Sequence, residues 1–420
     1  MKFRALLPAT ACVLEVATAC GCHQLRSVDD AQLLARRSIP GKTSEKTVLT
    51  NVRVFDGYEI GDAQKIYIDG ERISHPFPPC IATKTIDAGG RVLIPGLMDA
   101  HIHVPDVAGL ENLTAWGVTT AFNMACSNYT QCHALSNYPR TPKGAGLATL
   151  FSSGRAANSP LTPITVGTAT GIMVSDGDNA AEFVDEAFRN GSDYYKIVSK
   201  QPGLSQQLQN DLVSEVHRLG QLSMTHASDL KSYMMAIASY TDGIQHIASD
   251  SLLSDSAVAA VVAKKGQQWS TPTMEIFRQA FANPIIIEIL RGSTTSNDSW
   301  EVVVENVGML HRAGVLITAG TDAVGDFQSP IANLTIPIGP TLHSELANLV
   351  EAGLSEAEAL RAATSVTARV HRLNDRGTIE VGKRADLVLL DADPLVNISN
   401  TKKIAKVWVG GIEYPDVAGD

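Results

Sequence analysis

Between Lys46 and Ile94 short apolar runs, the first of them alternating with polar residues, are separated by turn residues. Val48-Leu49-Thr50-Asn51-Val52-Arg53-Val54 is rich in β-branched residues and predicts a strand. Ile66-Tyr67-Ile68 runs into Asp69-Gly70, a strand entering a hairpin turn. Thr85-Ile86-Asp87 leads to Gly89-Gly90, and Val92-Leu93-Ile94 predicts another strand. The far end of the chain repeats this texture. Gly377-Thr378-Ile379 and Gly382-Lys383-Arg384-Ala385-Asp386 precede the apolar run Leu387–Leu390, and Ile404–Val409 ends in Gly410-Gly411. Two β segments that flank everything else predict a small β-sandwich built from residues 46–94 and 377–420, with residues 95–376 inserted as a second domain.

The inserted stretch changes rhythm. Short apolar runs alternate with helical ones, the βα repeat of a parallel sheet. The strand candidates are Leu97–Val104, Val118–Met124, Leu147–Ser153, Tyr194–Ser199, Leu222–Ala227, Gly243–Ala248, Gln268–Thr273 and Val315–Ala323. Asp211–Leu219, Lys231–Ser239 and Trp300–Arg312 are amphipathic helices between them. Eight βα units predict an α/β fold of the TIM (β/α)8 barrel type. An open doubly wound sheet is the alternative, but no glycine-rich nucleotide fingerprint opens the first unit.

Composition narrows the class. The chain has 420 residues, 44% hydrophobic and 19% charged, enough for a large core and a smaller second domain. A formal net charge of -10 argues against nucleic acid as the partner and leaves small molecules open. Lys2 and Arg4, the apolar Ala5–Val13 and the small residues Ala17-Thr18-Ala19 resemble a signal peptide over residues 1–22, followed by a polar linker over 23–45. That apolar run is too short to span a bilayer. Asn-x-Ser/Thr sequons at Asn112, Asn128, Asn190, Asn297, Asn333 and Asn397 fit a secreted glycoprotein, with a cytoplasmic location as the alternative. Cys126 and Cys132 are spaced to close a small disulfide loop, or they stay as free buried thiols. No Cys-x-x-Cys pattern offers a thiolate metal site.

The chemistry sits at predicted strand ends. In Pro95-Gly96-Leu97-Met98-Asp99-Ala100-His101-Ile102-His103 the period of two puts Asp99, His101 and His103 on one face. Two imidazoles at that spacing can share one divalent ion. The fifth candidate strand ends in His226, the sixth in His246 and the eighth in Asp322. Lys196 lies on the otherwise apolar fourth strand. Burial would strip its charge and make the amine nucleophilic, able to take up carbon dioxide as a carbamate, an anionic oxygen ligand. Each residue has a bland reading alone: a core histidine on a backbone carbonyl, a capping Asp, a surface Lys. Five strands ending this way together do not.

This ordered set resembles the amidohydrolase superfamily, in its imidazolonepropionase-like branch, and is similar to metal-dependent prolidases and ochratoxin-cleaving amidases. Leu342-His343-Ser344-Glu345-Leu346, Glu351-Ala352-Gly353-Leu354, Ala359–Thr364, Gly382–Leu387 and Asp393-Pro394-Leu395 carry the likeness through the tail. The resemblance implies that His101, His103 and Asp322 bind a first metal, His226 and His246 a second, and Lys196, as N6-carboxylysine, both. The metals are expected to be zinc, two ions per chain, with one ion as the alternative. Asp322 is the expected catalytic residue: it takes the proton of the attacking water and returns it to the leaving group. Asp99 is expected to support the ligands rather than bind. His343, Arg155 and Thr273 are substrate-side candidates. The expected activity is cleavage of an amide C–N bond of a small peptide-like or N-acyl substrate. A lactonase or esterase, a decarboxylase of the same superfamily, or a barrel kept as an inactive scaffold are the alternatives. Homo-oligomerisation is implied by the resemblance, without an interface in view.

Overall fold

The structure is a computed structural model that describes residues 45–418, apart from 127, 163–170, 265, 284–285, 287–289, 291–296 and 329–332. The expected signal peptide and nearly all of the expected linker fall outside the described residues. No helix among the described residues is long and apolar enough to cross a membrane.

The chain opens with β1 (Lys46–Val54), β2 (Gln64–Asp69), β3 (Arg72–Ser74), β4 (Lys84–Asp87) and β5 (Val92–Pro95). The βα part follows: β6 (Leu97–Ile102), α1 (Val107–Ala115), β7 (Val118–Asn123), α2 (Tyr129–Asn137), β8 (Thr149–Ser152), β9 (Ala157–Asn158), β10 (Ile172–Met173), α3 (Ala180–Arg189), β11 (Tyr195–Val198) and α4 (Gln206–Arg218). It continues with β12 (Ser223–His226), α5 (Leu230–Ser239), β13 (Gly243–Gln245), α6 (Asp255–Val262), β14 (Trp269–Thr271), α7 (Met274–Ala282), α8 (Trp300–Arg312) and β15 (Leu316–Ile317). A hairpin, β16 (Gly325–Gln328) and β17 (Asn333–Ile336), leads to α9 (Pro340–Glu351), α10 (Glu356–Ala362) and α11 (Ser365–Val370). The last strands are β18 (Leu387–Leu390), β19 (Ile404–Val409) and β20 (Ile412–Tyr414).

Strands from the two chain ends meet in one sheet. β5, from the N-terminal part, pairs antiparallel with β18 from the C-terminal part, Leu387 opposite Pro95 and Leu390 opposite Val92. One eight-stranded sheet results, ordered β20-β19-β18-β5-β1-β2-β3, with β4 also on β1. Leu49, Ile68, Leu93, Leu387, Leu389 and Trp408 form its own apolar core. The βα part holds two parallel sheets, β6-β7-β8 and β10-β9-β11-β12-β13-β14-β15. Backbone hydrogen bonds cross between them at both edges. Ala100 N–H donates to Ala319 O at 2.8 Å and Asp322 N–H to His101 O at 2.7 Å on one side, and Asp193 N–H donates to Ser152 O at 2.8 Å on the other.

All eight strand candidates appear, but the last is short. The expected run Val315–Ala323 pairs as a strand only over Leu316–Ile317, and the chain then follows β6 irregularly through Asp322. Helix starts carry ordinary caps: Asp106, Asn128, Asn179, Ser205, Asp229, Ser254, Ser299 and Ser355 each accept a first-turn backbone N–H. The helix α7 lacks such a cap, because Thr273 before it is left-handed.

The end sheet is fixed to the βα part by a buried charge cluster. Asp386 accepts from Arg384 Nη1 at 2.8 Å and from Gly410 N–H at 2.7 Å, and lies 3.6 Å from Arg376 Nη1. Arg376 also donates to Thr120 on β7 and Arg384 to Thr149 on β8, each at 3.0 Å. Replacing Asp386 by Ala takes the hydrogen-bonded carboxylate from buried Arg384, while Arg376 keeps Asp375, which accepts from its Nε and Nη2 at 3.0 Å each. The substitution is expected to cost about 3–5 kcal/mol, read as a lower midpoint in urea unfolding at unchanged slope.

Cys126 and Cys132 form a disulfide, with Cα atoms 6.1 Å apart. Of the two readings of these cysteines the closed loop is the one found. It ties the segment after β7 to the first turn of α2.

Candidate metal centre

The predicted strand-end residues converge. His101 lies on β6 and His103 just beyond it, His226 ends β12, His246 directly follows β13, and Lys196 lies on β11. One ligand atom from each of His101, His103 and Asp322 falls within 4.8 Å of the others. Asp322 Oδ1 is 3.3 Å from His101 Nε2 and 3.0 Å from His103 Nε2. The imidazoles continue as a chain. Ring centroids are 4.8 Å apart for His101 and His246 and 4.2 Å for His246 and His226. His101, His246 and Lys196 are buried, whereas the His103 side chain is 30% exposed, so the cluster opens toward solvent on the His103 side.

The local backbone here is unusual. Among the described residues, non-glycine residues with positive φ are Asn51, Tyr240, His246, Thr273, Asp322 and Arg372. Three of those six, His246, Thr273 and Asp322, lie in this cluster, His246 directly after β13 and Thr273 two residues after β14. Such backbone costs about 1–3 kcal/mol per residue and persists where surrounding contacts enforce it.

His101, His226 and His246 each have one nitrogen committed and the other turned to the cluster. His101 Nδ1 pairs with Gln245 Oε1 at 2.8 Å, and Gln245 Nε2 in turn donates to Thr271 Oγ1 at 3.2 Å. His246 Nδ1 meets Thr273 Oγ1 at 2.8 Å. His226 Nε2 meets Leu290 O at 2.7 Å. With these bonds His101 and His246 present Nε2, and His226 presents Nδ1. Fixing one imidazole nitrogen by a hydrogen bond is how proteins set the tautomer of a ligand.

The electrostatics suit cation binding. Burial first, then the nearby Lys196, pushes His101 down to about 3, so it is a neutral ligand at any ordinary pH. Burial also holds His226 and His246 well below the usual imidazole range, aided at His226 by Lys200 and Lys196. Burial works against ionisation of Asp322, but the imidazoles of His101, His103 and His246 hold its carboxyl well below the usual carboxylate range. Lys196 is lowered to about 7 by burial, with Asp322 opposing and Lys200 assisting. Its Nζ is buried without a hydrogen-bond partner among the described residues. A buried amine in that state is costly unless something else completes it, and a divalent cation beside a carbamate formed there would do so. The residues therefore fit a metal site.

Below the polar layer the floor is apolar. Tyr194 precedes Lys196 by two, Met224 precedes His226 by two and Trp269 precedes Thr271 by two, and all three belong to one buried cluster with Phe122 and Phe151. Asp99 supports the centre as expected. It accepts from Thr321 Oγ1 at 2.7 Å and from the N–H groups of Thr321 and His101, each at 3.1 Å, tying β6 to the segment that carries Asp322. Burial raises it to about 7 against those bonds. Gly320 has no room for a side chain, since a Cβ would lie 2.6 Å from Thr271 Cγ2 and 2.8 Å from His101 N. Gly320→Ala is expected to displace His101 and lower kcat/KM by on the order of 100-fold while costing about 1–3 kcal/mol of stability, measured by steady-state kinetics beside thermal melting.

The substrate-side candidates fare differently. Thr273 is fully buried, and its hydroxyl serves His246. Arg155 lies in the loop after β8 and donates to Gly171 O at 2.8 Å. The structure does not bring His343 to the cluster. It is buried in α9 with Nδ1 on Thr401 Oγ1 at 2.9 Å and Nε2 on Trp116 O at 3.1 Å, and Trp116 precedes β7, at the amino end of the strands. The expectation of a substrate contact there is corrected: both ring nitrogens are spent on packing α9. Sequence reasoning missed Gln245, Thr321 and Lys200. Lys200 is buried and lowered to about 8 by burial, with Asp322 raising it. A second lysine four residues after Lys196 was its only signal.

The sequence profile of the amidohydrolase family matches residues 176–413. Among solved structures the chain is similar to a Xaa-Pro dipeptidase with methionine bound in its active site (TM-score 0.73, 21% identity, 88% of this chain and 99% of that one). It is similar to a putative prolidase from Bifidobacterium longum (TM-score 0.74, 22% identity, 90% and 96%). It is also similar to A. niger ochratoxinase (TM-score 0.69, 17% identity, 89% and 96%). No curated protein matches it by sequence.

Proposed function

The chain belongs to the amidohydrolase family, enzymes that act on carbon–nitrogen bonds, and from that premise we propose that it is a metal-dependent hydrolase cleaving an amide bond of a small peptide-like or N-acyl substrate. The reading includes a closed (β/α)8 barrel capped by a β-sandwich from both chain ends. Backbone hydrogen bonds at both seams between the parallel sheets support the closure. His101, His103 and Asp322 would hold one divalent ion, His226 and His246 a second, and Lys196, carboxylated at Nζ, both. Zinc fits imidazole and carboxylate donors.

The observation that carries the reading is the cluster itself: His101, His226 and His246 held neutral with one nitrogen each turned to it, an ionised Asp322, and a buried lysine amine without a hydrogen-bond partner among the described residues. A divalent ion there supplies an acidified water and polarises a carbonyl. The residues of the chain do the rest. Asp322, ionised and partly open to solvent, takes the proton released as the water attacks and gives it to the departing amine nitrogen. Gln245, Thr273 and the Leu290 carbonyl hold the imidazoles in register. The apolar floor of Tyr194, Met224 and Trp269 keeps bulk water from below. The dipeptidase, prolidase and ochratoxinase likenesses support amides over esters, and lactones remain the second substrate class to try.

Elemental analysis of the purified protein, with a hydrolysis screen over N-acyl amino acids, dipeptides and lactones, tests this. Roughly two metal ions per chain and turnover of an amide are expected. A metal-free protein that cannot be loaded, or a loaded one active on lactones alone, would overturn the metal reading or the amide reading respectively.

A further inference from the structure

A carboxylate outside the cluster controls one of its ligands. α7 begins directly after β14 with Thr273, Met274 and Glu275, and its first-turn N–H groups lack the usual cap. Glu345, on α9 and some seventy residues later in the chain, takes that place. Its Oε1 accepts from Met274 N–H at 3.0 Å and its Oε2 from Glu275 N–H at 2.7 Å. Both oxygens are thus engaged, one to each donor, at the positive end of the helix. Glu345 is fully buried, and burial raises it to about 8 against the pull of those two N–H groups. α9 is itself anchored independently, by His343 to Thr401 and to the Trp116 carbonyl.

Thr273, immediately before the clamped turn, has φ of 49°, a region β-branched residues avoid. In that conformation its hydroxyl lies 2.8 Å from His246 Nδ1. Released, threonine would return to an extended or right-handed backbone and lose that position. We propose that Glu345 is a positioning residue of the centre: by clamping the first turn of α7 it keeps Thr273 left-handed, and Thr273 aims His246 Nε2 at the ligand position. The inference rests on the proposed metal-binding reading, and it adds a support to which that reading assigns no part.

The test titrates zinc into chelator-stripped protein, with melting temperature recorded for each variant. Thr273→Ala is expected to weaken the zinc site that includes His246 by roughly 10–100-fold, and Thr273→Ser, which keeps the hydroxyl, to bind nearly as wild type. Glu345→Gln is expected to weaken binding to a similar extent. The Glu345→Gln, Thr273→Ala double variant should bind no worse than the weaker single, because both changes break one linkage. Losses that multiply in the double variant, or wild-type affinity in Glu345→Gln, overturn the proposal. Should Glu345→Gln not fold, equal affinity of Thr273→Ala and Thr273→Ser overturns it. A wild-type protein that binds no zinc sinks the metal reading instead, so the two failures are distinguishable.

Discussion

Asp322→Asn and His226→Ala are each expected to leave a folded protein without hydrolytic activity. Asn keeps the shape of Asp322 but cannot take up a proton, and loss of a general base alone lowers kcat by roughly 10²–10⁴-fold. The real loss should exceed that, because Asp322 also contributes an oxygen within reach of His101 and His103. His226→Ala removes a ligand nitrogen and leaves the Leu290 carbonyl with only Ser228 Oγ, at 2.8 Å. One weakened buried acceptor costs about 1–3 kcal/mol, too little to unfold a domain with this much buried core. Steady-state rates, metal content and melting curves of both variants decide the matter. Turnover at the wild-type rate in either variant, at full metal loading, would remove Asp322 or His226 from the chemistry.

Much of this site was legible because strand geometry is periodic. His101 and His103 had to share a face, and histidines ending the fifth and sixth βα units had to meet them if the strands lay side by side in order. What the sequence did not carry was the backbone at those ends. Left-handed His246, Thr273 and Asp322 depend on contacts from distant segments: Thr321 on Asp99 and Glu345 on α7. The same dependence shortened the last strand, where Gly320 packs against His101 and local β propensity gives way to that close approach. Gln245 was invisible because one polar residue inside an apolar strand has many uses. His343 misled because its motif marks a helix start, and only the tertiary position of α9 shows that its ring faces Trp116 instead of the ligands. Cys126 and Cys132 stood at a spacing that allowed both a bridge and free thiols, and the turn from β7 into α2 brings them together.

Lys196 offers the second large effect, and it separates a carbamate from a plain buried amine. Carbon dioxide adds to the neutral amine: the nitrogen lone pair forms the new N–C bond, one C=O bond becomes C–O⁻, and the nitrogen gives up a proton. A lysine of ordinary pKa is neutral on the order of one part in a thousand at pH 7. Lys196, lowered to about 7, is about half neutral there. The initial rate of carbon dioxide uptake by the stripped protein, at fixed dissolved carbon dioxide, should therefore rise with pH up to about 7 and level off above it, read by native mass spectrometry of timed samples as one added CO2 per chain. The sign follows from the shift: only the deprotonated amine reacts, and burial moves its deprotonation down. Lys196→Ala should lose one of two metal ions and on the order of 10²–10³-fold in kcat. A small carboxylate such as acetate, added at millimolar levels, should return part of both by lying where the carbamate oxygens would be. Lys196→Arg keeps a cation that cannot be carboxylated and gains nothing from acetate. Full metal content and full rate in Lys196→Ala without added carboxylate would show that the lysine is a buried amine and no more.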